Sequence, residues 1–152
     1  PGVDIVAEAL EVERGELEDL DGIVPIAGAI DFLNALPPER WAIVTSAPSA
    51  LARARITAAG IPQPLQIVTA EDVEIGKPDP AGYRLGAERL GVDATHCLVF
   101  EDVLAGEGAG ADVMVVTATH KHALETRYPG FNSYEELQLN VDAEGLMQIS
   151  RR

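Results

Sequence analysis

Three segments of the sequence carry side chains suited to phosphate chemistry, and each follows a short apolar run. Thr45 and Ser46 come after the first run, Lys77 after the second, and Glu101 and Asp102 after the third. A hydroxyl and the N–H groups of a following helix bind phosphoryl oxygens, and a lysine offsets their negative charge. The pattern predicts Thr45 and Lys77 as catalytic residues. Thr45, Ser46 and Lys77 are the predicted phosphate-binding residues.

The acidic pair after the third run suits a divalent cation. Mg²⁺ prefers carboxylates, waters and substrate phosphates in octahedral geometry. Asp102 is therefore a predicted metal ligand. Glu101 is predicted either to bind the same ion through water or to orient Asp102. A bound metal would act as a Lewis acid on the departing phosphate group.

The elements predicted around these residues alternate between strands and helices. Apolar runs predict strands at 41–44, 65–68, 97–100 and 113–116, and the remaining pattern predicts helices at 1–21, 26–33, 48–59, 79–91 and 134–139. This alternation indicates an α/β fold with a Rossmann-like parallel sheet and helices on both faces. Ligands of such sheets bind at the carboxyl ends of the strands, so the three segments are expected to meet at one rim.

Composition excludes several classes of protein. With 25 acidic and 11 basic residues and a net charge of −14, the chain offers no basic face for nucleic acid. Its apolar runs are too short for a membrane helix, and no leader peptide is apparent. The single cysteine, Cys97, is predicted to be a core residue and fits a reducing compartment. We therefore expect a cytoplasmic protein that binds neither nucleic acid nor a membrane.

The same three segments resemble motifs of the haloacid-dehalogenase-type (HAD) phosphatases. Ile43–Ser46 is similar to the second motif, Gly76–Pro80 to the lysine motif G-K-P-x-P, and Phe100–Gly106 to the F-E-D variant of the fourth motif. The likeness covers roughly residues 24–120 and is closest to the small sugar- and glycerol-phosphate phosphatases. It implies a Mg²⁺-dependent hydrolase of phosphate monoesters that works through an aspartyl-phosphate, with a small phosphorylated metabolite as its partner.

The resemblance also implies an attacking aspartate in a D-x-D-G motif on a first strand. Asp19 and Asp21 give the nearest lettering, but no apolar strand precedes them. Residues 1–21 instead resemble the tail of a helical cap, and residues 22–152 the α/β core. We therefore expect a truncated core that lacks its first strand, which would leave two halves of the sheet without a shared neighbour. Catalysis is expected to be impaired. The alternative is an inactive chain that binds a phosphate or a partner protein.

Other interpretations fit the sequence less well. The glycines at 106, 108 and 110 do not have the spacing or the position of a dinucleotide fingerprint. Relative to the family's pattern, this segment is two or three residues short, which shortens the helix expected to support Asp102. A receiver domain would place its acids before the hydroxyl and the lysine. Dehalogenase, phosphonatase and mutase activities remain open within the superfamily, although the two acids argue against a metal-free dehalogenase. His120 and His122 on a loop are expected to be solvated.

Overall fold

The computed structural model describes residues 5–102, 106–119 and 127–152. Its helices are α1 (Ile5–Glu18), α2 (Ala29–Ala35), α3 (Ser49–Ala58) and α4 (Ala81–Arg89). Its strands are β1 (Ala42–Val44), β2 (Gln66–Val68), β3 (Leu98–Glu101), β4 (Asp112–Val116), β5 (Gly130–Phe131), β6 (Leu137–Val141) and β7 (Met147–Arg151). None of the helices in these ranges is both long and apolar enough to cross a membrane.

The parallel strands form two separate sheets within the described residues. Strand β1 pairs with β2 in one sheet, and β3, β4 and β5 form the other in that order. The α/β class and the four predicted strands are therefore confirmed. Strands β1 and β3 lie in different sheets, and each has one edge that faces no partner in its own sheet. That the core lacks a central strand stays a prediction.

The predicted helix at 134–139 is wrong. Tyr134–Glu136 forms a single 3₁₀ turn capped by Ser133, and the chain then enters β6, which pairs antiparallel with β7. Leu137 is fully buried and Leu139 packs against the same cluster, whereas the residue between them is exposed. This two-residue alternation is typical of a strand with one buried face. A helical spacing was therefore the wrong interpretation of these leucines.

An aromatic cluster forms the main core between α2 and the three-stranded sheet. The rings of Phe32, Phe100, Phe131 and Tyr134 lie 4.9–5.7 Å apart between centroids, mostly edge to face. Such pairs stabilise a core beyond the area they bury. Cys97 lies outside this core, because β3 begins one residue later and leaves the cysteine half-buried. The prediction of a buried Cys97 is corrected accordingly.

Helix α4 lies close against the strands that end at the predicted site. A Cβ atom added at Gly82 or Gly86 would stand 3.1 or 3.0 Å from the side chain of Val44, so glycine permits this close approach. Tyr83, between the two glycines, is buried in a cluster with Ala109, and Val44 of β1 and Val99 of β3 pack against this cluster. Helix α4 therefore holds the two parallel sheets together at the end where the chemistry-bearing residues lie.

Candidate active site

All five predicted site residues line one cleft of about 440 Å³. Its walls are formed by Glu16, Thr45, Ser46, Ala47, Pro48, Leu51, Arg55, Lys77, Glu101 and Asp102. We call the part formed by Thr45, Ser46, Lys77, Glu101 and Asp102 the inner end. The part formed by Glu16 and Arg55 is the outer end. The inner end thus combines residues that follow the carboxyl ends of β1, β2 and β3, as expected for a parallel α/β fold.

The hydroxyl segment is fixed by backbone hydrogen bonds. The Thr45 N–H donates to the carbonyl of Val68 at 2.9 Å, which extends the pairing of β1 with β2. The Thr45 hydroxyl oxygen then accepts a hydrogen bond from the Ala47 N–H at 3.1 Å. These bonds turn the chain sharply into α3, so Thr45 and Ser46 stand just before the N-terminus of a helix.

The Glu71 carboxylate accepts a hydrogen bond from the first N–H of that helix. The sequence did not predict this contact. The Ser49 N–H lies 3.0 and 3.1 Å from the two carboxylate oxygens of Glu71, and the Thr69 hydroxyl donates to the same carboxylate at 2.7 Å. The bond from Ser49 and then that from Thr69 lower the pKa of Glu71. A negative charge therefore already interacts with the positive end of α3.

Lys77, Tyr83 and Glu101 form a hydrogen-bonded group at the inner end. The Lys77 ammonium and the Tyr83 hydroxyl both donate to Oε1 of Glu101, and Oε2 accepts from the Asp102 N–H at 3.0 Å. The Lys77 ammonium also lies 5.1 Å from the centre of the Tyr83 ring. The Glu101 side chain is only 9% exposed and that of Lys77 25%. The carboxylate is thus held by three donors, and its orientation is fixed.

The ion pair also connects the two parallel sheets. The Lys77 ammonium lies 3.3 Å from the carbonyl oxygen of Val44, the last residue of β1. This carbonyl shares a trans peptide group with the Thr45 N–H, which bonds to β2, so the carbonyl points to the opposite edge. Glu101 ends β3. Lys77 therefore satisfies an open backbone group of one sheet and pairs with a side chain of the other.

The pKa directions follow from this arrangement. Burial of Glu101 raises its pKa, but hydrogen bonds from Lys77 and Tyr83 outweigh the burial, so the pKa lies below its usual value of 4.5. Burial raises the pKa of Tyr83, and the bond to Glu101 raises it further. Glu101 is therefore a carboxylate at neutral pH and Tyr83 a neutral donor.

The donor set of the inner end fits a magnesium site built on few protein ligands. No group of three or more histidine, cysteine or acidic residues that could hold a metal occurs within 5–102, 106–119 and 127–152. Mg²⁺ commonly binds through one or two carboxylates and keeps several waters. Asp102 lines the cleft, and both oxygens of Glu101 accept hydrogen bonds from within the protein. Glu101 bonds to Lys77, Tyr83 and the backbone N–H of Asp102, and both roles predicted for it stay predictions.

Two further predictions concern residues away from the cleft. Asp19 is exposed, follows the end of α1 and does not line the cleft. The histidines at 120 and 122 lie outside the described residues.

Comparison with known proteins decides the family. A family model described as haloacid dehalogenase-like hydrolase matches residues 2–113. The chain belongs to this hydrolase family. Over 121 residues, this chain is 45% identical to hexitol phosphatase A of Escherichia coli. The match covers 76% of this chain and 56% of that protein. The chain is 34% identical to glycerol-1-phosphate phosphohydrolase 2 of Saccharomyces cerevisiae, with coverage of 72% and 48%.

A solved structure supports the fold of this haloacid dehalogenase-like chain. A HAD hydrolase of family IA, variant 3, from Entamoeba histolytica superposes with a TM-score of 0.73 at 21% identity, over 90% of this chain and 69% of that one. The haloacid dehalogenase-like chain spans about half the length of the two curated relatives. Its fold and family are thereby shown.

Proposed function

We propose that this chain carries the phosphate- and metal-binding part of an active site that hydrolyses phosphate esters of small metabolites. The observation that supports the proposal is the convergence of Thr45, Ser46, Lys77 and Asp102 on one cleft, from the ends of strands that belong to two sheets. The names of the two relatives, a hexitol phosphatase and a glycerol-1-phosphate phosphohydrolase, point to the same reaction class. Sugar and polyol phosphates are therefore the proposed substrates.

Each inner-end side chain has one task in this proposal. The hydroxyls of Thr45 and Ser46 donate hydrogen bonds to phosphoryl oxygens, and Lys77 offsets negative charge on the phosphate. Glu101, Tyr83 and the Val44 carbonyl hold the Lys77 ammonium before any ligand binds. Since the position of the charge is fixed in advance, little reorganisation accompanies phosphate binding.

The charge of the cleft favours a requirement for a divalent cation. Lys77 and Arg55 line it together with three acids, Glu16, Glu101 and Asp102. This excess of negative charge repels a phosphate dianion. Mg²⁺ held by Asp102 would reverse the sign of the local charge. When bound, the ion would supply Lewis-acid stabilisation of the phosphate oxygens.

An inactive phosphate-binding chain is the second candidate, and one observation favours it. The acids that line the cleft already have other tasks: Glu101 holds Lys77, Asp102 is the proposed metal ligand, and Glu16 is paired with Arg55. Asp19, the nearest match in sequence to an attacking aspartate, is not in the cleft. We therefore expect this chain alone to bind phosphate while turning over esters slowly.

Binding and turnover measured together test both candidates. Inorganic phosphate is titrated into the chain with and without Mg²⁺ by calorimetry, and p-nitrophenyl phosphate hydrolysis is followed under the same conditions. We expect Mg²⁺-dependent phosphate binding that is lost in Asp102→Ala and kept in Asp31→Ala, a control at an exposed acid of α2. Turnover that disappears in Asp102→Ala supports the hydrolase, and binding without turnover supports the second candidate. If no phosphate binds at any Mg²⁺ concentration, both are wrong.

A further inference from the structure

The outer end of the cleft contains an ion pair that the phosphate chemistry does not use. Arg55 of α3 and Glu16 of α1 face each other, with a guanidinium nitrogen 3.1 Å from Oε1 of the carboxylate. Both side chains line the same cleft as Thr45, Lys77 and Asp102. The pair joins helices that pack against each other, and its partial exposure places it on the solvent side of the cleft.

Helix geometry places Arg55 beyond the phosphate end of the cleft. Arg55 follows Leu51 by four residues, so both lie on one face of α3, and Leu51 is buried in the wall of the cleft. From Ser49, the first residue of the helix, to Arg55 the axial rise is about 9 Å. A phosphate ester whose phosphate sits beside Thr45 can therefore direct the far end of a short carbon chain towards Arg55.

The pair is easily opened because it is close to solvent. The Arg55 side chain is 43% exposed and that of Glu16 46%. Ion pairs at this exposure contribute little to stability, since water solvates both charges almost as well. A ligand that hydrogen-bonds to the pair, or shares its groups, therefore displaces little favourable energy.

The Arg55 guanidinium is a donor and the Glu16 carboxylate beside it is an acceptor, and this combination suits a hydroxyl group. A hydroxyl both donates and accepts hydrogen bonds, so it can accept from the Arg55 guanidinium and donate to the Glu16 carboxylate. A second anionic group attracts Arg55 but is repelled by Glu16 at the same position. The inner-end acids add to that repulsion.

We propose that Glu16 and Arg55 form a specificity element that selects phosphate esters with a neutral polyhydroxyl tail over esters with a second anionic group. This inference rests on the proposed function, because it requires the phosphate to bind at the inner end. It adds a substrate class and two residues that act on the tail of the ligand. Arg55 binds the hydroxyls, and Glu16 both binds them and excludes a carboxylate.

Three ligands separate the contribution of the tail from that of the phosphate. Inorganic phosphate reports on the inner end alone. A hexitol 6-phosphate and 6-phosphogluconate have the same chain length but differ by one carboxylate at the far end. Dissociation constants for all three are measured with Mg²⁺ by calorimetry on the chain and on the variants Arg55→Gln and Glu16→Gln. Arg53→Gln serves as the matched control, because Arg53 lies on α3 and is exposed outside the cleft.

The expected pattern is specific to each variant. Arg55→Gln weakens hexitol phosphate binding about threefold to tenfold, the effect of one hydrogen bond, and leaves inorganic phosphate unchanged. Glu16→Gln tightens 6-phosphogluconate relative to hexitol phosphate by a similar factor, because the repelling charge is gone. Equal selectivity in Arg55→Gln, Glu16→Gln and Arg53→Gln, with phosphate still bound, overturns this inference alone. Loss of phosphate binding in every form of the chain, including the unmodified one, overturns it together with the proposed function.

Discussion

At the inner end of the cleft the Lys77–Glu101 pair is largely buried and shares its carboxylate with Tyr83, whereas at the outer end the Glu16–Arg55 pair lies half in solvent. Both pairs join two parts of the fold: the first connects the parallel sheets, and the second connects α1 with α3. The difference in burial predicts different consequences of breaking them. A buried charge left without a partner is costly, while an exposed one is solvated.

The largest effect is expected from Lys77→Met. This change leaves the Glu101 carboxylate buried with one cationic partner removed, and it releases the Val44 carbonyl. We expect the free energy of unfolding, measured by urea denaturation, to fall by about 3 kcal/mol. Arg53→Met, at an exposed position of the neighbouring helix, should change it by less than about 0.5 kcal/mol.

A second substitution tests whether the unpaired charge is the cause. Lys77→Met combined with Glu101→Gln keeps an acceptor for Tyr83 but removes the buried negative charge. The double variant should therefore be more stable than Lys77→Met alone. If the double variant is the less stable of the two, the loss comes from the lysine side chain itself and the comparison of the two cleft ends fails.

Tyr83→Phe should have the next largest effect. It removes one donor to Glu101 while keeping the ring in its buried cluster with Ala109. A hydrogen bond to a charged, buried acceptor contributes about 1.5–3 kcal/mol, so urea denaturation should show a loss in that range. Tyr128→Phe is the control, because Tyr128 is only partly buried and its hydroxyl accepts a hydrogen bond from Arg127 at the surface, so the unfolding free energy should change much less. Equal losses in the two variants would mean that the hydroxyl of Tyr83 does not hold Glu101.

The two ends of the cleft also differ in how far the sequence predicts them. Thr45, Ser46, Lys77, Glu101 and Asp102 were identified because each follows an apolar run, and the topology of a parallel sheet brings strand ends together. The strands are short apolar runs, so their alternation with helices could be predicted from the sequence. The role of Tyr83 was not predicted, since a tyrosine on the inner face of a helix is equally compatible with ordinary core packing.

The outer end was beyond sequence reasoning for a different reason. Glu16 and Arg55 lie 39 positions apart, and no periodicity links α1 to α3. The acidic residues of α1 are typical of a solvated helical face, and one of them turns inward only because the two helices pack. The final strand pair was missed because Leu137 and Leu139 were assigned to a helix, although their spacing of two is that of a strand.

A third ion pair, between Asp72 and Arg89, extends the comparison to pH. The Arg89 bond and then the Thr69 N–H lower the pKa of Asp72 from 3.8 to about 2. A carboxyl whose pKa is lowered by folding stabilises the native state above its unfolded value and loses this contribution as pH falls towards the folded value. The stability difference between the chain and Asp72→Asn should therefore be constant above about pH 5 and shrink between pH 3.8 and about 2.

Urea denaturation at a series of pH values checks this expectation. Asp31→Asn, at an exposed acid of α2, supplies the control for the general effect of lowering the net negative charge. A difference that stays constant down to pH 2 would show that the Asp72 carboxylate is not held by Arg89 in solution. That result would contradict the prediction, even with both variants still folded.

The smallest effect is expected at the outer end of the cleft. A double-mutant cycle with Glu16→Gln and Arg55→Gln should give a coupling free energy of about 0.2–1 kcal/mol in unfolding experiments. Because both groups are half exposed, the coupling should weaken further between low and high salt. A coupling above about 2 kcal/mol that persists in salt would contradict the comparison with Lys77 and Glu101. The outer pair would then hold α1 on α3, and a ligand could share its groups only by breaking a strong contact.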